Sequence, residues 1–300
     1  MNYLVTGGTG FIGKSLVTKL QQKGHHIFIL TRTPHEFENT AHTTYIPYDY
    51  PAEDLPPIHG VVNLAGESLF GYWTKKKKQT IRTSRIETTE KIIAFMKRLE
   101  SRPEVFISGS AIGFYGISDE NMYTENTKTP GTDFLANVVV QWEETAKKAE
   151  ELGIRTVLAR FGVVLGMDGA LSFMQMPIKL FAGGKIGGGD QWMSWVHIED
   201  AVNILIFSLT NKSISGPINV TAPNPLRNKD FMKTVATVLK RPFWFHTPSL
   251  IFRAATGEMS QLILHGQYVL PMKAIDHHYT FSFPYLEHAL RNILNKQHTK

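Results

Sequence analysis

The densest chemical signal lies near the N-terminus, in Thr6-Gly7-Gly8-Thr9-Gly10-Phe11-Ile12-Gly13. It reads both as GxxGxxG and as GxGxxG. It follows a short apolar run, residues 2–6 (NYLVT), and precedes a stretch with Ile12, Leu16 and Leu20 spaced four apart. A strand, a glycine turn and a helix in that order form a cradle for a pyrophosphate. One glycine permits the tight turn, one lets the backbone approach the phosphates, and one lets helix and strand pack closely. The anion then faces free N–H groups at the positive end of the helix dipole. Gly7, Thr9, Gly10, Phe11, Ile12 and Gly13 are therefore expected to hold a dinucleotide. The alternative is a glycine-rich turn without a ligand.

The next apolar run, residues 27–31 (IFILT), ends at Thr31-Arg32-Thr33. An acid at this point would hold a ribose 2′-hydroxyl, as in NAD-binding folds. Glu36 and Glu38 come too late for that. The planar fork of Arg32 suits a 2′-phosphate instead. Thr31 and Arg32 thus point to NADP(H), against the plainer reading of Arg32 as a surface arginine.

These residues need a scaffold, and the spacing supplies one. Further strands are expected near 44–48, at 60–64 (GVVNL), 104–109 (EVFISG), 154–160 (IRTVLAR) and 217–221. Helices are expected over 14–23, 76–99, 133–151 and 198–210. Strands alternating with helices indicate a parallel sheet with right-handed crossovers, a Rossmann-type doubly wound α/β fold. Residues 1–222 are read as the dinucleotide domain, with 166–197 contributing to a substrate lobe. From Pro223 the pattern turns mixed and proline-rich, so 223–300 is read as a smaller mixed C-terminal lobe over the pocket.

Composition narrows the class. A chain of 300 residues with 42% hydrophobic content can bury a large core. It has no cysteine, hence neither disulfides nor thiolate metal sites. No His/Asp/Glu cluster has metal-ligand spacing, so no metal is expected. No apolar run is long enough for a bilayer, and the first strand leaves no room for a signal peptide. The expectation is a cytoplasmic protein with a small-molecule substrate, no membrane or nucleic-acid partner, and a homodimer left open. The net charge is +6, yet the only dense basic run is Lys75 to Lys78. That run reads as a solvated helix start.

Several segments beyond the glycine loop resemble the extended short-chain dehydrogenase/reductase superfamily. Within it the chain looks like the bacterial epimerase-family proteins, relatives of NAD-dependent epimerases and dehydratases with a small C-terminal domain of unknown function. Asn63-Leu64-Ala65-Gly66 resembles the NxAG segment beside the cofactor, and Ser108-Gly109-Ser110-Ala111 the serine-rich end of the fifth strand. Tyr115-Gly116 resembles the YG that follows. Arg160-Phe161-Gly162-Val163-Val164-Leu165-Gly166 resembles RxxxVxG, and Trp195-Val196-His197-Ile198-Glu199-Asp200 resembles WxHxxD. Gly257-Glu258-Met259-Ser260 and Val269-Leu270-Pro271 look like the small C-terminal domain. The resemblance implies NADP(H) and adds Leu64, Ala65, Gly66, Ser108, Phe161 and Gly162 to the cofactor residues. It implies no substrate.

The chain also departs from that family. Active members carry a YxxxK pair, whose Tyr transfers the substrate proton and whose Lys lowers the Tyr pKa. The matching helix here reads Asp133-Phe134-Leu135-Ala136-Asn137-Val138-Val139-Val140-Gln141-Trp142-Glu143, with no Tyr and no Lys. Tyr72 and Lys76 have the spacing but lie elsewhere. The remaining catalytic candidates are Ser110 and Tyr115, the latter otherwise a structural turn residue. Arg85 stands where active enzymes carry Asn and is read as a substrate anchor, or as the partner of Glu87 or Glu90. Trp192 and Trp195 are expected in the pocket roof, with Trp195 as a substrate residue. Two functions fit: an NADP(H)-dependent oxidoreductase or epimerase-like enzyme, or an NADP(H)-binding sensor or interaction protein without turnover.

Overall fold

The computed structural model describes residues 1–295, with the backbone alone at 246, 247, 251 and 255. Seven strands form one parallel sheet: β1 (Asn2–Thr6), β2 (His26–Leu30), β3 (Thr43–Ile46), β4 (Gly60–Asn63), β5 (Val105–Ala111), β6 (Arg155–Phe161) and β7 (Gly216–Val220). Their spatial order is β7-β6-β5-β4-β1-β2-β3. The order reverses between β1 and β4, which opens a crevice at the carboxyl ends of those two strands.

Strand periodicity sorts the core into two layers. Tyr3, Val5, Ile27, Ile29 and Ile107 face one way, against α1 (Phe11–Gln22) and residues 198–210. Leu4, Phe28, Leu30, Phe106 and Leu158 face the other, against α2 (Lys75–Arg98) and α3 (Phe134–Lys147). Helix α1 begins at Phe11, three residues before the expected start, because extended Gly10 already serves as its N-cap. Helix α2 starts where the Thr74 hydroxyl accepts the Lys77 amide at 3.1 Å. Helix α3 starts where Asp133 Oδ1 accepts the Ala136 amide at 3.0 Å. Each cap satisfies an otherwise unpaired amide of its first turn.

A separate apolar cluster gathers residues from two stretches of chain. Leu165, Leu171, Ile178 and Trp195 pack with Phe231, Val235, Leu290 and Ile293. The first four come from α4 (Ala170–Lys179) and its flanks. The others come from α6 (Asn228–Val238) and α7 (Leu286–Asn295), with α5 (Ile198–Thr210) between. Residues 296–300 of the expected C-terminal lobe lie outside the described residues. Among the described residues no helix is long and apolar enough to cross a membrane.

Candidate functional site

The crevice is built first by the ends of β1 and β4. Thr6 Oγ1 donates to Asn63 Oδ1 at 2.6 Å, and the Leu64 amide donates to the Thr6 carbonyl at 3.1 Å. Gly7 follows at φ 68°, and a Cβ there would lie 2.7 Å from the Leu64 carbonyl oxygen. Gly13 sits tighter still: its Cβ would come within 2.0 Å of the Gly7 oxygen. Gly10 differs. Its Cβ would touch only that oxygen, at 3.3 Å, and the residue is exposed. Gly7 and Gly13 are therefore required by the protein itself, whereas the exposed face of Gly10 offers clear approach to the helix N-terminus. No side chain caps α1, so its first amides are available to an anion.

The Phe11 ring is half-buried against a neighbouring loop. The loop after Leu165 runs so close to it that a Cβ at Gly166 or Gly169 would lie 2.6 or 2.8 Å from the ring. Ile12 is half-buried against the first core layer, and Thr9 is half-buried in the loop. Half-buried Thr31 accepts the Thr33 amide at 3.4 Å. Arg32 beside it is exposed, and its charge reaches Glu67 and Tyr48 at the neighbouring loop ends.

The segment after β4 crosses the crevice. The Ala65 amide donates to Thr6 Oγ1 at 3.4 Å, and Gly66 is exposed. Phe70 stacks on Phe173 of α4 at 4.8 Å, and the Tyr72 hydroxyl donates to the Ala254 carbonyl at 3.3 Å. These contacts strap residues 66–74 to the lobe. The basic run at the start of α2 takes part: Lys77 bonds Glu67 at 2.7 Å, and Lys78 pairs with Glu258. The Lys77 hydrogen bond holds the Glu67 carboxyl below its usual range. The run does begin a helix, with Lys75 and Lys76 exposed to solvent, while half-buried Lys77 and Lys78 are tied to acids.

Arg85 reaches under the same segment. Its guanidinium carbon would lie 3.4 Å from a Cβ at Gly66, and it sits over the Trp142 ring at 5.3 Å. Burial pulls its pKa down to about 10, against a smaller opposing pull from the Glu67 charge. Glu87 forms no salt bridge among the described residues, and Glu90 pairs with Lys148. Neither acid is a partner of Arg85.

The hydroxyls expected to handle protons are already committed. Ser110 Oγ donates to Glu143 Oε1 at 2.6 Å, and Arg160 grips the same carboxylate at 2.7 and 2.8 Å. Ser110, Arg160 and Asn219 lie side by side on β5, β6 and β7. The Tyr115 hydroxyl donates to Asn219 Oδ1 at 2.8 Å, and burial pushes its pKa up. Asn219 is held in turn by Glu125, which accepts its amide at 2.9 Å, and by the Leu270 carbonyl. Ser108 is fully buried, with its hydroxyl on the Gly109 carbonyl. This places Ser108, Ser110 and Tyr115 in a buried frame beneath the strand ends.

The sequence reading missed Asn219 and Glu125 of that frame, and it also missed Glu143. The signal was available: an acid one residue after Trp142 on the apolar face of α3, seven residues from buried Ala136. Leu135 and Val139 of that face approach Gly113.

Trp195 does not face the crevice. It is fully buried in the lobe, and its indole donates to the Asn224 carbonyl at 3.0 Å. The reason is a one-residue matter of strand parity, which turns its ring into the apolar cluster. Trp192 is half-buried against Tyr268, with Arg227 over its ring at 3.8 Å. Asp200 of the same segment accepts the Ser282 and Phe283 amides at 2.8 Å each, and His197 stacks on Phe283. The WxHxxD stretch therefore clamps the lobe to the sheet. Half-buried Phe161 packs on the first core layer. Gly162 passes so close to residue 194 that a Cβ would lie 2.6 Å from the Ser194 oxygen. Among the described residues no group of three or more His, Asp or Glu is placed to hold a metal ion.

Comparison with known proteins agrees with this architecture. Residues 3–221 match the model of the NAD dependent epimerase/dehydratase family, and residues 247–293 match a domain of unknown function, DUF1731. The epimerase family protein YfhF of Bacillus subtilis is 44% identical over 100% of both chains. The crystal structure of the human epimerase family protein SDR39U1 with NADPH superposes with a TM-score of 0.89. It is 32% identical, covering 98% of this chain and 99% of that one. A nucleoside-diphosphate sugar epimerase from Corynebacterium glutamicum is 30% identical with a TM-score of 0.80, over 99% of this chain and 58% of that one. A family model that spans most of the chain and relatives that align over its whole length give the same answer: the chain belongs to the NAD dependent epimerase/dehydratase family.

Proposed function

We propose that the protein is an NADP(H)-dependent oxidoreductase with the architecture of a sugar-nucleotide epimerase. The observation that carries this is the pairing of the glycine loop with Arg32 at the end of β2. The open face of Gly10 at the start of α1 supports a pyrophosphate there, and the exposed Arg32 just after β2 supports a 2′-phosphate over a bare ribose hydroxyl. The human relative named above was crystallised with NADPH, which supports the same choice. In this reading Gly10 and the first amides of α1 hold the diphosphate, and the strand-end segments Leu64–Gly66 and Phe161–Gly162 flank the ligand. The bound nicotinamide would supply hydride chemistry. Ser110 and Tyr115 act through the Glu143–Arg160 frame that fixes the end of β5.

Fluorescence titration tests the cofactor choice. NADPH should bind more tightly than NADH. Losing a charge-assisted bond in Arg32→Ala should cost roughly 1.5–3 kcal/mol, about 10- to 150-fold in Kd. Equal affinity for both cofactors in the unaltered protein would refute it.

A second reading, an NADP(H)-binding sensor without turnover, draws on α3. There the side chains facing Gly113 are Leu135 and Val139, which cannot move a proton. Screening carbonyl and sugar-nucleotide compounds for substrate-dependent NADPH oxidation separates the readings, because only an enzyme consumes NADPH.

A further inference from the structure

Most arginines in the interior of this protein are accounted for. Arg160 has Glu143, and Arg155 bonds the Ser208 and Ile214 carbonyls at the edge of the sheet. Arg85 is the exception inside the crevice. A guanidinium presents five N–H donors. Here Nη1 donates to the Ile81 carbonyl at 2.9 Å, and no other acceptor meets the side chain among the described residues. The nearest acid, Glu67, is engaged by Lys77. The remaining nitrogens of Arg85 are not sealed in, since none is among the buried polar atoms that lack a partner. The side chain is half-buried, backed by the Trp142 ring and close beneath exposed Gly66.

Partial burial of a fixed charge is costly without a counter-charge. Its lowered pKa reflects that desolvation. An arginine held by an aromatic plane, with its fork open and no protein carboxylate on it, has the geometry of an oxyanion receptor.

Its location tells which ligand it serves. Trp142 packs over Gly109 of β5, so the guanidinium lies between the ends of β4 and β5. The glycine loop and Arg32 lie on the other side, at β1 and β2. A dinucleotide crossing the switch point with its adenosine end near Arg32 would direct its reacting end toward β5.

We propose that Arg85 binds a carboxylate or phosphate group of the substrate, so that the protein acts on an anionic compound. This rests on the cofactor reading for the orientation of the dinucleotide, but not for the receptor itself.

The test follows the side-chain Nε–H resonance of Arg85 by NMR in protein saturated with NADPH, which blocks the glycine loop. Inorganic phosphate and acetate are titrated separately as probes. The expected result is a saturable shift with at least one of the two. The probe that saturates at lower concentration identifies the anion class. The Trp142 indole N–H resonance, read in parallel, should move with the same titration and lose that response in Arg85→Gln. Arg85→Lys should retain part of it, while NADPH affinity stays within about threefold.

No saturable shift with either anion would overturn the proposal, as would an unchanged indole response in Arg85→Gln. A fall of about tenfold or more in NADPH affinity in that variant would also overturn it, by assigning Arg85 to the cofactor. Repeating the titration without NADPH keeps the two readings apart. If the unaltered protein binds no NADPH yet Arg85 still responds to the anion, the cofactor reading fails and the receptor stands.

Discussion

Glu143 and Arg160 form a two-point ion pair, with both side chains only 4% exposed, beneath the carboxyl ends of β5 and β6. Ser110 donates to one oxygen of the pair, and the rings of Phe114 and Tyr115 lie over the guanidinium at 3.5 and 5.0 Å. Removing one partner strands a buried charge, at a typical cost of about 3–5 kcal/mol. Glu143→Ala or Arg160→Ala should show that loss in urea denaturation. Glu143→Leu combined with Arg160→Met should recover much of it, because no charge is then left unpaired. Single variants as stable as the unaltered protein would mean that water reaches the pair.

The glycine loop gives a paired prediction. Gly10→Val should fold normally, since Gly10 is extended with little around its Cβ, and should lose NADPH binding because the side chain occupies the phosphate face. Gly13→Ala should lower Tm, because its Cβ overlaps the Gly7 carbonyl. Calorimetry with NADPH and thermal denaturation check both. Normal NADPH binding by folded Gly10→Val would place the phosphate site elsewhere.

Ser110→Ala and Tyr115→Phe distinguish a frame from a proton relay. Each removes a buried hydroxyl that satisfies an acceptor, Glu143 in one case and Asn219 in the other. A stability loss of about 1–3 kcal/mol is expected for each, with NADPH affinity little changed. Tyr115 should make a poor acid at neutral pH, because burial holds its proton more firmly than in a free phenol. Unchanged stability together with abolished turnover would assign these hydroxyls to the chemistry instead.

Glu125 predicts a pH dependence. Burial raises its pKa above the ordinary 4.5, and hydrogen bonds from the backbone offset this only in part. The folded state therefore holds this proton more tightly than the unfolded chain does. Stability contributed by the protonated form is complete below pH 4.5 and declines as pH rises through the folded-state value. Glu125→Gln should flatten that decline, so the variant gains on the unaltered protein between pH 4.5 and neutrality. Parallel urea curves at the two ends of the range measure it. The same stability difference at both ends would refute the shift.

Local signals gave the sequence its reach. The alternation of apolar residues and the glycine spacing at 7, 10 and 13 are decided by neighbours a few residues away. They place the strands, helices and phosphate loop without reference to the rest of the chain. The absence of Tyr and Lys from residues 134–143 was equally plain from the sequence. Which polar side chains meet was decided only in three dimensions. Ser110, Glu143, Arg160 and Asn219 come from four elements, and sheet register fixes three of them in one row. Because strand side chains alternate, one residue of register separates a wall of the crevice from the core. Trp195 entered the core, and Ser110 turned toward Glu143. Arg85 shows the same limit on a helix. Its type was visible in the sequence, but the lack of a carboxylate partner is a property of packing, set by where Lys77 carries Glu67 and Lys148 meets Glu90.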